Sequence, residues 1–268
     1  QLESPVLANA EFAAIRDYMG KDAVEIDCTF DAGHDPGVLR EGLERIQREA
    51  EDAVRGGAIH IILTDQEMSA TRAAIPMILA TGAVHTHLVR QQLRTFTSLN
   101  VRAGESMDVH YHAVLIGVGA TTVNAYLAEE SIKDRHRRGL FPGLSPEECV
   151  QHYKNALDQG LLKVMSKMGI SVLSSYRGGY NFEAVGLSRA LVAEYFPGMT
   201  SRISGIGLTG IKRKTLEQHR AAYEAMNVTL PVGGFYSFRR SGEVHAMGGD
   251  LMHTLQSAVA SDSYAIYR

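Results

Sequence analysis

VEIDCTFDAGHDPGVLREGLERIQREAEDAVRGGAIHIIL, residues 24–63, is the stretch that decides the fold. Val24, Ile26, Cys28 and Phe30 alternate with Glu25, Asp27 and Thr29, the period of two expected of a strand with one buried face. Asp35 then stands before Pro36, a favourable helix cap followed by the residue best tolerated in a first turn. Leu39, Leu43, Ile46, Ala50 and Ala53 follow at steps of three and four, which draws one apolar stripe along a charged helix. Gly56 and Gly57 end it, because glycine accepts the left-handed backbone that closes a helix. Ile59 to Leu63 is almost wholly apolar and branched, as suits a strand covered on both faces. The stretch therefore reads as one βαβ unit with parallel strands.

The same grammar recurs on either side. Gly117-Val118-Gly119-Ala120 and Lys167-Met168-Gly169-Ile170 repeat the passage from a glycine-terminated helix toward a strand. Arg72 to Leu93 reads as a helix leading to a strand at Thr95 to Val101. Met107 to Gly117 has helical spacing, although Val109 to Ile116 also suits a strand. Ser145-Pro146-Glu147-Glu148 is a capping box that starts a further helix. Five or six strands in such alternation predict an α/β fold, mainly parallel, resembling an incomplete or rudimentary (β/α) barrel; a regular barrel would need eight. The alternation stops near Ile206, so the expected division is a central α/β domain over 1–211 and a connector over 212–268. In the connector the pattern gives a helix at Thr215 to Met226, a glycine-rich passage at Pro231 to Gly234 and a closing helix from Asp250, with no strand.

Composition bounds the function. The 268 residues are 45% apolar and 21% charged, as in an ordinary globular protein. A net charge of −3 gives no basic footprint for nucleic acid. No apolar run approaches a membrane span, and no charged-then-apolar leader pattern opens the sequence, so the cytoplasm is the expected compartment. Two cysteines, Cys28 and Cys149, allow one disulfide at most and cannot hold a cysteine-ligated cluster. The chain begins at Gln1, and we expect it to be a piece of something longer.

Several runs together carry a family resemblance: Leu2 to Leu7, Asp27 to Phe30, Ile75-Pro76-Met77 leading to Gly82-Ala83-Val84-His85, His110 to Gly119 with Val123-Asn124 and Tyr126-Leu127-Ala128, and above all Gly160 to Tyr176 (GLLKVMSKMGISVLSSY) continuing to Phe182-Glu183. In this order, over essentially the whole length, the chain resembles the central domain of the glutamate synthase large chain. It departs from the family pattern at Tyr180-Asn181, at Ala125 and at Arg102, which replaces an acidic residue common before Gly104-Glu105. The resemblance implies a parent enzyme that makes glutamate from glutamine and 2-oxoglutarate, in ammonia assimilation. It implies flanking domains in the same polypeptide: an amidotransferase with an N-terminal cysteine, and a synthase domain with FMN and an iron–sulfur cluster. No cofactor is expected in this chain, which would be a catalytically inactive scaffold that helps enclose the route for ammonia. Gly242 to Gln256 resembles the connector into the synthase domain. The alternative is a self-sufficient barrel-like enzyme or flavin binder.

The residues themselves offer few catalytic candidates. His85 and His87, His110 and His112, and His60 read either as hydrogen-bonded structural histidines or as metal ligands, but positions two apart on a helix point in different directions, and on a strand His110 and His112 would share a face with no adjacent carboxylate to complete a site. Arg177-Gly178-Gly179 reads as a tight turn or as a phosphate cradle. Asp65 closes a strand, where barrels place catalytic groups, or caps the next helix. Loops after strands carry function in such folds. The candidate channel or domain-interface residues are therefore Asp65 in Thr64 to Ala70, Gly104 in Ala103 to Ser106, and Ser174, Ser175 and Gly178 in Ser174 to Asn181.

Overall fold

A computed structural model describes residues 2–33, 35, 37–224, 232–233 and 238–268. The chain divides into two units, Gln1–Tyr223 and Glu224–Arg268. In the first unit the elements run α1 (Asn9–Met19), β1 (Ala23–Asp27), β2 (Thr29–Asp31), α2 (Val38–Arg55), β3 (His60–Thr64), β4 (Arg72–Ala74), α3 (Met77–Arg90), β5 (Ser98–Arg102), α4 (Val109–Gly117), β6 (Thr122–Asn124), α5 (Tyr126–Arg137), α6 (Pro146–Lys167), α7 (Leu173–Tyr176), β7 (Glu183–Leu187), α8 (Arg189–Tyr195), β8 (Thr200–Ile206) and α9 (Leu208–Glu224), the last reaching the boundary.

Four strands form one parallel sheet in the order β1-β3-β5-β6. Chain order is kept across the sheet, so each βα unit steps the same way, as in a barrel; a doubly wound sheet would reverse at a switch point. The α/β class and its barrel-like run of parallel strands agree with the sequence pattern. Beyond β6 the opening segment takes the edge: the Val123 amide donates to Pro5 O (2.8 Å) and the Leu7 amide to Val123 O (2.9 Å).

Alternation along the strands sorts the two faces. Ile26, Ile61, Leu63, Leu99, Val101 and Val123 are buried in the main core with Leu39, Leu43 and Ile46 of α2. The other face carries Glu25, Ile62, Asn100 and Thr122 in register. Of these four only Ile62 is apolar, and it packs with Leu7 and with Phe12 of α1. This double cover explains why Ile61, Ile62 and Leu63 form an unbroken apolar run.

Local chemistry sets the element boundaries and corrects several expectations. The strand expected over Val24 to Phe30 breaks at Cys28, because the Asp27 carboxylate accepts both the Thr29 amide and the Thr29 hydroxyl, each at 2.9 Å. Released in this way, β2 pairs antiparallel with β4. Arg72 to Ala74, expected in a helix, is therefore a strand, pinned by an Arg72–Asp27 ion pair of 2.7 Å. The helix begins only at Met77, since Pro76 disfavours helical backbone at Ile75. Asp35 does not cap α2; its carboxylate accepts the Gly37 amide (2.8 Å) and Gly37 holds the cap position, while Pro36 lies outside the described residues. Val109–Gly117 is helical, capped by Asp108, which accepts the Tyr111 amide at 2.8 Å. The Ser145 capping box is present, with Ser145 Oγ accepting the Glu148 amide (3.2 Å) and Glu148 accepting that of Ser145 (2.7 Å). No strand follows Gly169; Leu173–Tyr176 is a single helical turn instead.

Strands β7 and β8 form a separate two-stranded parallel ribbon crossed by α8. Residues 212–223, assigned to the connector from the pattern, lie in α9 within the first unit. The second unit holds α10 (Gly249–Ala260) and α11 (Tyr264–Tyr267) and no strand among its described residues. The end of the expected Thr215 to Met226 helix and much of the Pro231 to Gly234 passage lie outside the described residues. Among the described residues no helix is long and apolar enough to cross a membrane.

Candidate functional site

The ends of the parallel strands gather two of the five candidates. Asp65 follows β3, and a turn into β4 follows Asp65, so there is no helix for it to cap. Its side chain reaches instead to the loop after β5, where both carboxylate oxygens accept the Gly104 amide (2.9 and 3.1 Å). The Tyr126 hydroxyl, at the start of α5, lies beside Asp65. Position 104 has room only for glycine or a slight shift, since a Cβ there would meet Tyr126 Oη at 3.0 Å. Asp65 is 1% exposed. Burial raises its pKa from 3.8 to about 6, the Gly104 amide and Tyr126 hydroxyl oppose the rise, and the neighbouring Glu105 charge adds to it.

Glu105 supplies a second tie. Helix α3 starts with Pro76 in the cap position and no side-chain cap, which leaves its first amides without a partner. Glu105 Oε1 accepts the Met77 amide (2.5 Å) and the Tyr111 hydroxyl. Burial and the Glu105 charge push the Tyr111 phenol well above its ordinary range. Beside this knot, the Arg102 guanidinium lies over the Phe12 ring (5.1 Å) and the Tyr126 ring (5.5 Å) and donates to Gln66 Oε1 (2.6 Å). Loops Thr64 to Ala70 and Ala103 to Ser106 are thus held to each other and to the start of α3 by buried or shared hydrogen bonds.

Ser174, Ser175 and Gly178 stand elsewhere. The Gly178 amide donates to Ile116 O (3.1 Å) and the Tyr180 amide to Gly117 O (3.3 Å), at the end of α4 and so where the strands begin. They are not on a loop after a strand, which corrects the expectation from the pattern. Ser174 and Ser175 are exposed on α7, whose Tyr176 is buried and donates to Ala113 O (3.1 Å). Leu173 and Arg177 help line a groove of about 750 Å³ with Leu2, Ser4, Thr122 and Asp158. The phosphate-cradle reading of Arg177-Gly178-Gly179 fails on hydrogen bonding: the amides of 177, 178, 179 and 180 already donate to Leu173, Ile116, Tyr176 and Gly117 carbonyls.

Four of the five candidate histidines have structural partners. His60 Nδ1 lies 2.7 Å from Ser98 Oγ, His87 Nε2 2.7 Å from Glu51, and His112 Nδ1 2.9 Å from Asp108 O. His85 Nδ1 accepts from Arg94 Nε (3.0 Å), and burial beside Arg94 and Arg177 holds its pKa down at about 4. Among the described residues no three His, Cys, Asp or Glu side chains gather as for a metal. Cys28 and Cys149 are both buried, and two thiols do not suffice for an iron–sulfur cluster.

Pattern reading singles out Asp65 and Gly104 but misses the roles of Glu105, Tyr111 and Tyr126. Met77 and Glu105 are 28 residues apart, and no spacing rule connects them. The one available signal is negative: a helix opening on Pro76-Met77 with no Ser, Thr, Asp or Asn before it needs an acceptor from elsewhere.

The comparisons with known proteins agree with one another. Residues 1–188 match the family described as glutamate synthase central domain. The chain is 66% identical over 268 residues to the glutamate synthase [NADPH] large chain of Azospirillum brasilense, covering 100% of this chain and 18% of that one. It is 38% identical over 271 residues to the glutamate synthase [NADPH] large chain of Bacillus subtilis, covering 100% and 17%. It is 36% identical over 283 residues to the chloroplastic ferredoxin-dependent glutamate synthase of Spinacia oleracea, covering 100% and 18%. The chain thus spans less than a fifth of the length of these relatives. The crystal structure of DHODH from Eimeria tenella in complex with ferulenol superposes with a TM-score of 0.36 at 14% identity, over 58% of this chain and 37% of that one, too little to bear on the fold.

Proposed function

This chain belongs to the glutamate synthase central-domain family, and from that premise we propose that it is the linking segment between a glutamine-hydrolysing site and a synthase site, with the loops Thr64 to Ala70 and Ala103 to Ser106 walling the passage of ammonia between them. The observation that carries the reading is the knot at the strand ends, where Asp65 holds the Gly104 amide and Glu105 holds the Met77 amide. Ammonia travels as a small neutral molecule, so a wall needs fixed width and few free charges more than catalytic groups. Loops tied to each other and to the start of α3 by carboxylates keep their width, and Asp65 is buried rather than turned toward solvent. Ser174, Ser175 and Gly178, at the other end of the sheet, are assigned to a domain interface.

On this reading the parent polypeptide makes glutamate, is an oxidoreductase with an amidotransferase domain, works in the cytoplasm, and carries FMN and an iron–sulfur cluster in its synthase domain. The turn at Arg177 offers no spare amides to a phosphate, and the two cysteines of this segment are too few to ligate an iron–sulfur cluster.

The test is made in the complete polypeptide. Glu67 is exposed on the first loop, so Glu67→Trp adds bulk without disturbing the core. Gly104→Ala sets a methyl against Tyr126 Oη and so shifts the second loop. Both variants should consume glutamine at the parental rate while forming less glutamate per glutamine, and external ammonium should restore synthesis. An unchanged ratio in both folded variants would place the wall elsewhere.

A further inference from the structure

Strands β7 and β8 pair with no other strand among the described residues. A parallel pair of strands is a poor free-standing structure, because parallel sheets depend on cover over both faces. Helix α8 supplies one cover: it packs on both strands and buries Leu191 and Val192 beside Ala184 of β7. The opposite face has none among the described residues of the first unit. Val185 and Ile203, paired directly across the ribbon, are 65% and 62% exposed, in strands where branched apolar residues are expected to be packed. One ion pair, Glu183–Arg202 at 3.7 Å, borders this patch. The register is irregular on both sides of Val185, and Gly186 has a φ of +77° with Gly205 lying against its carbonyl. That packing fixes the strands tightly enough for the exposed face to keep one shape.

We infer that the Val185–Ile203 face of this ribbon is a docking surface, covered by an apolar element of a flanking domain in the same polypeptide. The inference rests on the linking role proposed above. The relatives that match the whole chain carry more than four-fifths of their length outside it, so a covalently tethered partner is available at high effective concentration. A tethered partner needs no large interface of its own, which suits a patch centred on two side chains.

Thiol accessibility in the complete polypeptide tests this. Val185→Cys and Ile203→Cys are made separately, and the rate of maleimide labelling at each site, read by mass spectrometry of its peptide, is compared with the same peptide in denatured protein. Cys28 and Cys149 are buried and give little background from this segment. Both introduced thiols should label on the order of a hundredfold more slowly in the folded protein, as expected for a site reached only by local opening. Rapid labelling at both positions would overturn the inference. Protection that disappears on dilution would also overturn it, since a second copy of the polypeptide would then be the cover. The glutamate-to-glutamine ratio of Glu67→Trp and Gly104→Ala is read independently, so a free ribbon with a sensitive ratio refutes this surface and leaves the linking role standing. A protected ribbon with an insensitive ratio does the reverse.

Discussion

Asp65 is held at a cost, and replacing it by asparagine should reveal how much. The side chain is 1% exposed, and burial moves its pKa from 3.8 to about 6. Between those values the folded chain keeps a proton that the unfolded chain releases, so the stability linked to this group is fully present below pH 3.8 and is lost as the pH rises through about 6. The difference is worth about 3 kcal/mol at neutral pH, at about 1.4 kcal/mol per pKa unit. An asparagine side chain has nearly the same shape, can accept the Gly104 amide, and can turn its NH₂ to Tyr126, but carries no charge to desolvate. Asp65→Asn should therefore be more stable than the parent by about 3 kcal/mol at pH 7.5, and the two should coincide near pH 4. Urea unfolding of both proteins at intervals from pH 4 to 8 measures the difference directly. Other titrating groups, including His85 with its pKa of about 4, cancel between the two. A difference that does not change with pH, or an asparagine variant less stable throughout, would show that Asp65 is not the desolvated carboxylate described here.

Ser145→Ala removes the oxygen that accepts the Glu148 amide and should lower stability by about 1 kcal/mol in thermal or urea unfolding, with an unchanged fold by circular dichroism. Gly160→Ala places a Cβ 2.4 Å from Val109 Cγ2, where α6 crosses α4, and should cost about 1–3 kcal/mol through overpacking; the double variant with Val109→Ala should recover most of it. Bulk at Glu67 or a methyl at Gly104 should reduce glutamate formed per glutamine in the complete polypeptide. Cysteines at 185 and 203 should be shielded from maleimide in that same protein.

Sequence alone determined the course of the main sheet. Periodicity in residues 24–63, with the glycines that follow α2 and α4, is local information, and local information suffices wherever a helix or strand buries a whole face against a neighbour. The capping box at Ser145 and the apolar run at Ile61 to Leu63 were legible for the same reason. Tertiary contacts decided the rest. Arg72 to Ala74 has no strong preference of its own and becomes a strand because Asp27 breaks the preceding one and offers β2 as a partner. The pattern puts Ser174 and Ser175 on a loop after a strand, yet the segment forms no strand and Leu173–Tyr176 closes into a helical turn against α4. The knot at the strand ends was half visible: Asp65 and Gly104 could be singled out from their places after strands. Their mutual hydrogen bond, and the reach of Glu105 to the Met77 amide, join residues 39 and 28 positions apart. Such bonds are set by which loops the sheet brings side by side, and the lateral order of the strands exists only once the chain is folded.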